Sequence, residues 1–230
     1  MSRGFGRSLD GNWFWVAVAV SLVVSLTPWA GIILYPFKLF TTWVHECSHA
    51  VATLVVGGRV SAITIRPDTS GLTESLIPAG RLSQGIVASA GYLGAAAVGC
   101  LLMAATRVEK WAHRILLGLG IFMLITLAVW MRNVFGAVMV LAWGAVLIAL
   151  ARGGVDRAKR FFLSFLAIQV ALNAVYDIRV LFLIGRGQSD AATMARLFLL
   201  PSWFWACTWM LISVAMLAST LWLTGQRRGR

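Results

Sequence analysis

The sequence predicts an all-α integral membrane protein: a bundle of about seven transmembrane helices with a short β-hairpin after the second. Three observations predict it. Of the 230 residues, 60% are hydrophobic and only 12% charged. The apolar residues gather into runs close to the ~20 residues that a helix needs to cross a bilayer. One connection, between Arg59 and Pro78, instead carries β-prone residues around a turn. A mean hydropathy of +0.83 leaves a soluble fold with more apolar surface than it could bury.

The apolar runs lie at residues 13–34, 39–56, 82–105, 115–130, 134–151, 161–184 and 203–223. Each is read as a helix, because irregular backbone facing lipid would leave N–H and C=O groups unpaired. The first run follows Arg3 and Arg7 but lacks a small-residue cleavage pattern, so it is expected to stay as a span. In the third, Gly91, Ala95 and Gly99 recur every four residues and predict close approach of another helix. The fourth and fifth are separated only by Met131-Arg132-Asn133, which predicts a tight helical hairpin or a broken pair. Trp13, Trp15, Trp29, Trp111, Trp130, Trp203 and Trp205 fall near segment ends, where an amphipathic ring suits the headgroup zone.

The exception to the helical pattern pairs residues 60–66 with 72–76 around Pro67-Asp68-Thr69-Ser70-Gly71. Such a hairpin is marginal alone and must lean on the helices or the membrane surface. An open edge on it would accept an extended peptide as an added strand.

The charge is strongly positive, 20 Lys plus Arg against 8 Asp plus Glu, with a pI near 11.2. Most basic residues lie between apolar runs, and no nucleic-acid-binding motif accompanies them, so nucleic acid is excluded as a partner. Counted over alternate connections, Lys and Arg divide too evenly to fix sidedness. No repeat or long linker divides residues 1–230, which are expected to form one polytopic domain with short basic tails. Cys47, Cys100 and Cys207 each sit in an apolar run, odd in number and widely spaced, so no disulfide framework is readable.

The chemistry-bearing pattern is His45-Glu46-Cys47-Ser48-His49, an HExxH sequence within an apolar run. Residues four apart share a helix face, so His45 and His49 can present imidazole nitrogens to one tetrahedral metal. Glu46 stands beside that face, where HExxH peptidases place the general base. The chain has only three histidines, and two are here. An ionisable cluster in an apolar span costs on the order of 2.5–3.5 kcal/mol per charge unless something compensates it, and Zn²⁺ would. Cys47 points away from the face.

A third ligand must come from elsewhere. Gln169, Asn173 and Asp177, spaced by four, form a polar stripe on the sixth run with Tyr176 beside it. Asp177 is the preferred third ligand, and Asn173, one turn away, can hydrogen-bond a substrate carbonyl or oxyanion. The structural alternative for Asp177 is a contact with Arg179 or Tyr176. Asp190 is the alternative ligand: within Gly187-Gln188-Ser189-Asp190-Ala191, Ser189 or Asp190 has the character of a helix N-cap, yet a re-entrant loop could carry Asp190 to the metal. Asp10, Asp68, Glu74, Glu109 and Asp156 lie in connections or near the terminus, where solvation explains them.

An HExxH in an apolar helix, a hairpin after it, a small-residue helix next and a distal Asn and Asp together resemble the site-2 protease family. More narrowly, the chain resembles its compact bacterial branch of zinc membrane peptidases carrying His-Glu-x-x-His-Ala. Ala50 after His49, residues 173–177 and Ser189-Asp190-Ala191 carry that likeness. The sequence departs from the wider family at Asn173 and Asp177, which are closer together than in its Asn-x-x-Pro-x-x-x-x-Asp-Gly pattern and lack the proline and glycine. It also has Gly91-Tyr92 in place of Gly-Pro. The resemblance implies a zinc metallopeptidase in a bacterial cytoplasmic membrane. Its partners would be the lipid bilayer and a membrane-protein substrate with a transmembrane segment, and the sequence leaves a homo-oligomer open. The rival reading is a non-catalytic metal-binding scaffold, or a transporter of metal or protons.

Overall fold

The computed structural model describes residues 13–106, 111–181 and 189–226. Arg3, Arg7, Asp10, Arg107, Glu109, Lys110, Arg186, Gly187, Gln188 and the basic residues after Gln226 lie outside the described residues, as does the side chain of Arg179. In chain order the elements are α1 (Trp13–Ser25), α2 (Ala30–Val55), β1 (Arg59–Ile65), β2 (Gly71–Leu76), α3 (Arg81–Ala105), α4 (Trp111–Val129), α5 (Val134–Gly153), α6 (Asp156–Leu181), α7 (Asp190–Phe198) and α8 (Ser202–Gln226).

Among the described residues, five helices, α3, α4, α5, α6 and α8, are long and apolar enough to cross a membrane. The expected first span is instead broken. Residues 26–29 form a turn, where Pro28 lacks an N–H and the Thr27 hydroxyl donates to the Val24 carbonyl at 2.7 Å. That leaves α1 at 13 residues. The remainder joins the expected second span in one 26-residue helix, α2, which carries Lys38, His45, Glu46 and His49 and is not among the five. The outer faces carry bare apolar side chains, among them Leu101, Val134, Val146 and Leu211, as a lipid environment requires.

The core lies between α2 and the α4–α5 pair, with α6 behind. Trp43, Phe40, Leu116, Met123, Leu147 and Leu163 are fully buried there. The two core indoles keep their N–H groups paired, Trp43 donating to Thr126 Oγ1 at 3.0 Å and Trp143 to the Pro36 carbonyl at 3.2 Å. The polar stripe of α6 faces inward: Gln169 donates to Ser21 Oγ at 3.2 Å and Asn173 to Thr41 Oγ1 at 3.4 Å. In α3 the small-residue stripe serves two neighbours. Gly91 faces the α2 histidines, and Gly99 faces the Ala171 backbone of α6.

The hairpin forms where the sequence places it. β1 and β2 pair antiparallel, with Ile63 opposite Thr73 and Ile65 opposite Gly71. Gly57, at φ +80°, and Gly58, pressed against the Leu76 carbonyl, turn the chain from α2 into β1. Side chains then tie the hairpin to α2 along its length. Tyr35 OH donates to the Pro67 carbonyl at 2.6 Å, Thr42 to the Thr69 carbonyl at 2.7 Å and Thr53 to Ser75 Oγ at 3.1 Å.

The outer edge of β1 is covered by the α4–α5 connection. Ile63 N–H donates to the Trp130 carbonyl at 2.8 Å, and Arg132 N–H donates to the Ile63 carbonyl at 3.1 Å. Asn133 completes the cover with its side-chain amide, accepting from Ile65 N–H at 3.1 Å and donating to the Ile65 carbonyl at 2.6 Å. The Met131-Arg132-Asn133 connection thus both turns a helical hairpin and closes a sheet edge.

Candidate metal centre

The spacing of four on α2 does what helical geometry requires: His45 Nε2 and His49 Nε2 stand 3.0 Å apart. Asp190 at the start of α7 brings Oδ2 to 3.3 Å from each of them. Among the described residues these three form the group of His, Cys, Asp and Glu that could hold a metal ion, their ligand atoms all within 4.8 Å of one another. Two ligands bound at ~2.0 Å to a tetrahedral zinc stand ~3.3 Å apart, so the triangle has the dimensions of one tetrahedral face. Nitrogen and carboxylate donors also suit zinc chemically.

The surroundings fix these donors. His49 Nδ1 lies 2.7 Å from the Val87 carbonyl. A carbonyl can only accept, so Nδ1 carries the proton and Nε2 keeps its lone pair for an ion. Tyr92 meets the His45 ring edge to face, with centroids 4.8 Å apart, and itself stacks on Trp209 at 5.1 Å. Gly91 makes the room, since a methyl built there would lie against both imidazoles, 2.5 Å from His49 Nε2.

Asp190 is delivered by a capped helix. Ser189 is the N-cap, its hydroxyl accepting from Ala192 N–H at 3.2 Å. Capping is therefore done by Ser189, which leaves the Asp190 carboxylate free to turn inward. α7 is seated by Ala191 and Met194, both buried against α3 and α8. Phe198 closes the seat on Gly85, where a methyl would come within 2.8 Å of the ring. Leu199, at φ 60°, ends the helix.

Glu46, 5% exposed, sits beside the triangle. Its Oε2 accepts from the Thr73 hydroxyl of β2 at 2.7 Å. Gly71 lets the hairpin come this close, since a methyl there would stand 2.5 Å from Glu46 Oε1. His45, Glu46, His49 and Asp190 line one cavity of about 970 Å³. β2 from Gly71 to Leu76 forms another wall; Asn173, Tyr176 and Asp177 of α6 form a third, with Lys38 and Arg196 also on the lining.

Of the residues singled out in the sequence, His45, His49 and Asp190 come together. Asp177, the third ligand expected from the sequence, faces the same cavity but is not in the ligand group, and Asn173 lines that cavity beside it. Lys38 of α2 lines this cavity with Asp177 and Tyr176, its ammonium 5.7 Å from the centre of the Tyr176 ring. Cys47 points into the core, 4% exposed. Thr73, Gly71, Gly91, Tyr92 and Val87 were not singled out as site residues. Gly91-Tyr92 offered the one signal, because it stands where a related sequence pattern has Gly-Pro. Thr73 and Gly71 are ordinary hairpin residues until the strand is laid on α2.

Compared with known proteins, the family model described as peptidase M50B-like matches residues 15–220. No curated protein and no solved structure matches the chain.

Proposed function

The chain belongs to the peptidase M50B-like family, and on that premise we propose that it is a zinc-dependent endopeptidase cutting membrane-embedded or membrane-proximal peptide bonds. The observation that carries the reading is the triangle of His45 Nε2, His49 Nε2 and Asp190 Oδ2, with edges of 3.0 to 3.3 Å, beside the Glu46 carboxylate. The geometry favours Asp190 over Asp177 as the third ligand. Held by those three groups, zinc would supply Lewis acidity toward the scissile carbonyl and the attacking water.

The protein's own groups do the rest. Glu46 takes the proton of the attacking water at its carboxylate and passes it to the departing amine nitrogen. Asn173 on the opposite wall offers its amide N–H toward the carbonyl oxygen. Tyr92, packed on His45 and Trp209, fills the space behind the imidazoles and keeps bulk water from that side. A substrate helix must unwind before its carbonyls are available, and the β2 wall offers backbone groups to which the unwound chain can pair. α2 would lie among the five apolar helices, with the cavity supplying water to a site otherwise surrounded by lipid.

Glu46→Gln separates this reading from metal carriage. The substituted protein should keep its zinc and lose cleavage of a synthetic single-span peptide in detergent. Zinc-loaded wild type that never cuts such peptides, together with metal uptake by reconstituted vesicles, would overturn the reading.

A further inference from the structure

Thr73 touches the candidate site in two ways. Its hydroxyl lies 2.7 Å from Glu46 Oε2 and 3.0 Å from the Glu46 backbone carbonyl. Both neighbours only accept, so the single proton of Thr73 is donated to Glu46, chiefly to the nearer carboxylate oxygen. That bond fixes the rotation of the carboxylate, which no other described side chain is seen to hold.

The backbone of Thr73 faces elsewhere. In an antiparallel pair, residues opposite one another either exchange both hydrogen bonds or both turn outward. Ile63 spends its N–H and C=O on Trp130 and Arg132, on the side away from β2. Its partner Thr73 therefore points its own N–H and C=O away from β1. By the same alternation Gly71, opposite Ile65, does likewise, because Ile65 is bonded to Asn133. Among the described residues no hydrogen bond to these outward backbone groups of Gly71 and Thr73 is recorded, and both residues line the cavity.

We propose that Thr73 is a positioning residue: its backbone pairs with the substrate strand while its hydroxyl aims Glu46 at the water that attacks that strand. This rests on the peptidase reading. One residue then carries both the register of the bound chain and the direction of the base, so a correctly paired strand meets a carboxylate already turned toward its scissile bond. The proton transfers are those of Glu46; Thr73 keeps its own proton throughout.

The test uses the full chain loaded with zinc, a synthetic peptide with one transmembrane segment as substrate, and three variants. Thr73→Val keeps the shape of the side chain and the backbone edge but removes the donor. Its kcat should fall ~10- to 100-fold, while KM, zinc content and thermal midpoint stay near wild type. Thr73→Ser should restore most of kcat. Binding without turnover gives the second readout: Glu46→Gln and the Glu46→Gln/Thr73→Val pair should bind the same peptide with equal Kd. Equal kcat for Thr73→Val and wild type would sink the inference alone. So would loss of zinc or of folding in Thr73→Val, because the hydroxyl would then be a structural tie. An inert, zinc-loaded wild type would remove the peptidase reading, and this inference with it.

Discussion

His49 donates its Nδ1–H to the carbonyl of Val87, 2.7 Å away on α3, which leaves Nε2, 3.0 Å from His45 Nε2 and 3.3 Å from Asp190 Oδ2, as the nitrogen available to an ion. A backbone acceptor one helix away thus selects the tautomer that can bind a metal. Since the acceptor is main chain, no substitution at position 87 removes it, and the tautomer depends on α3 staying where Gly91 lets it lie.

Gly91→Ala tests that dependence. The added methyl must displace His45 or His49, because it would stand 2.5 Å from His49 Nε2. Zinc per chain, read by atomic emission, should drop to background, with folding destabilised by ~1–3 kcal/mol. Gly118→Ala, where nothing lies within 4 Å, should keep full zinc. Retention of zinc by Gly91→Ala would mean that the imidazoles have freedom the packing denies them.

The third ligand separates by the same assay. Asp190→Asn should lose zinc, since Oδ2 stands 3.3 Å from both imidazoles, and Asp177→Asn should keep it. The reverse pattern would move the centre toward α6.

Glu46→Gln should retain stoichiometric zinc and lower kcat ~10²- to 10⁴-fold, the usual contribution of a positioned general base. Steady-state kinetics beside metal analysis decides it.

Ser189→Ala removes the hydroxyl that accepts from Ala192 N–H. A stability loss of ~1 kcal/mol is expected from the missing cap, along with weaker zinc binding, since Asp190 is the first residue of the helix that would fray. A chelator competition titration reads the second effect. Unchanged zinc affinity would show that α7 is held by Met194 and Phe198 without its cap.

Asn133→Ala should cost ~1–3 kcal/mol by stranding the N–H and C=O of Ile65, a residue with no exposed surface. The thermal midpoint should fall, and the Ile65 amide should exchange faster with solvent deuterium. An amide as slow as in wild type would mean that water or another group takes over from Asn133.

What the sequence reveals here is what local rules control. Spacing along one helix brings His45 and His49 together, alternation and turn residues draw the hairpin, and a serine before an alanine-rich stretch marks the cap at Ser189. The break at Pro28 was readable in the same terms, but the surrounding apolar run masked it. The relation of Asp177 to Asp190 is of another kind. Both are acidic residues near polar neighbours, and only the seating of α7 on Gly85 brings Asp190 across 145 residues to His45. Thr73 is subject to the same limit: alternation puts it on the inner face of β2, but which α2 side chain it meets depends on how the hairpin is laid down.

The ties between α2 and the hairpin, from Tyr35 near one end through Thr42 and Glu46 to Thr53 near the other, run along roughly five turns of helix. A roof laced to its wall at so many points cannot swing up like a hatch. A client chain would therefore meet strand and base already fixed to one another, as parts of one laced unit.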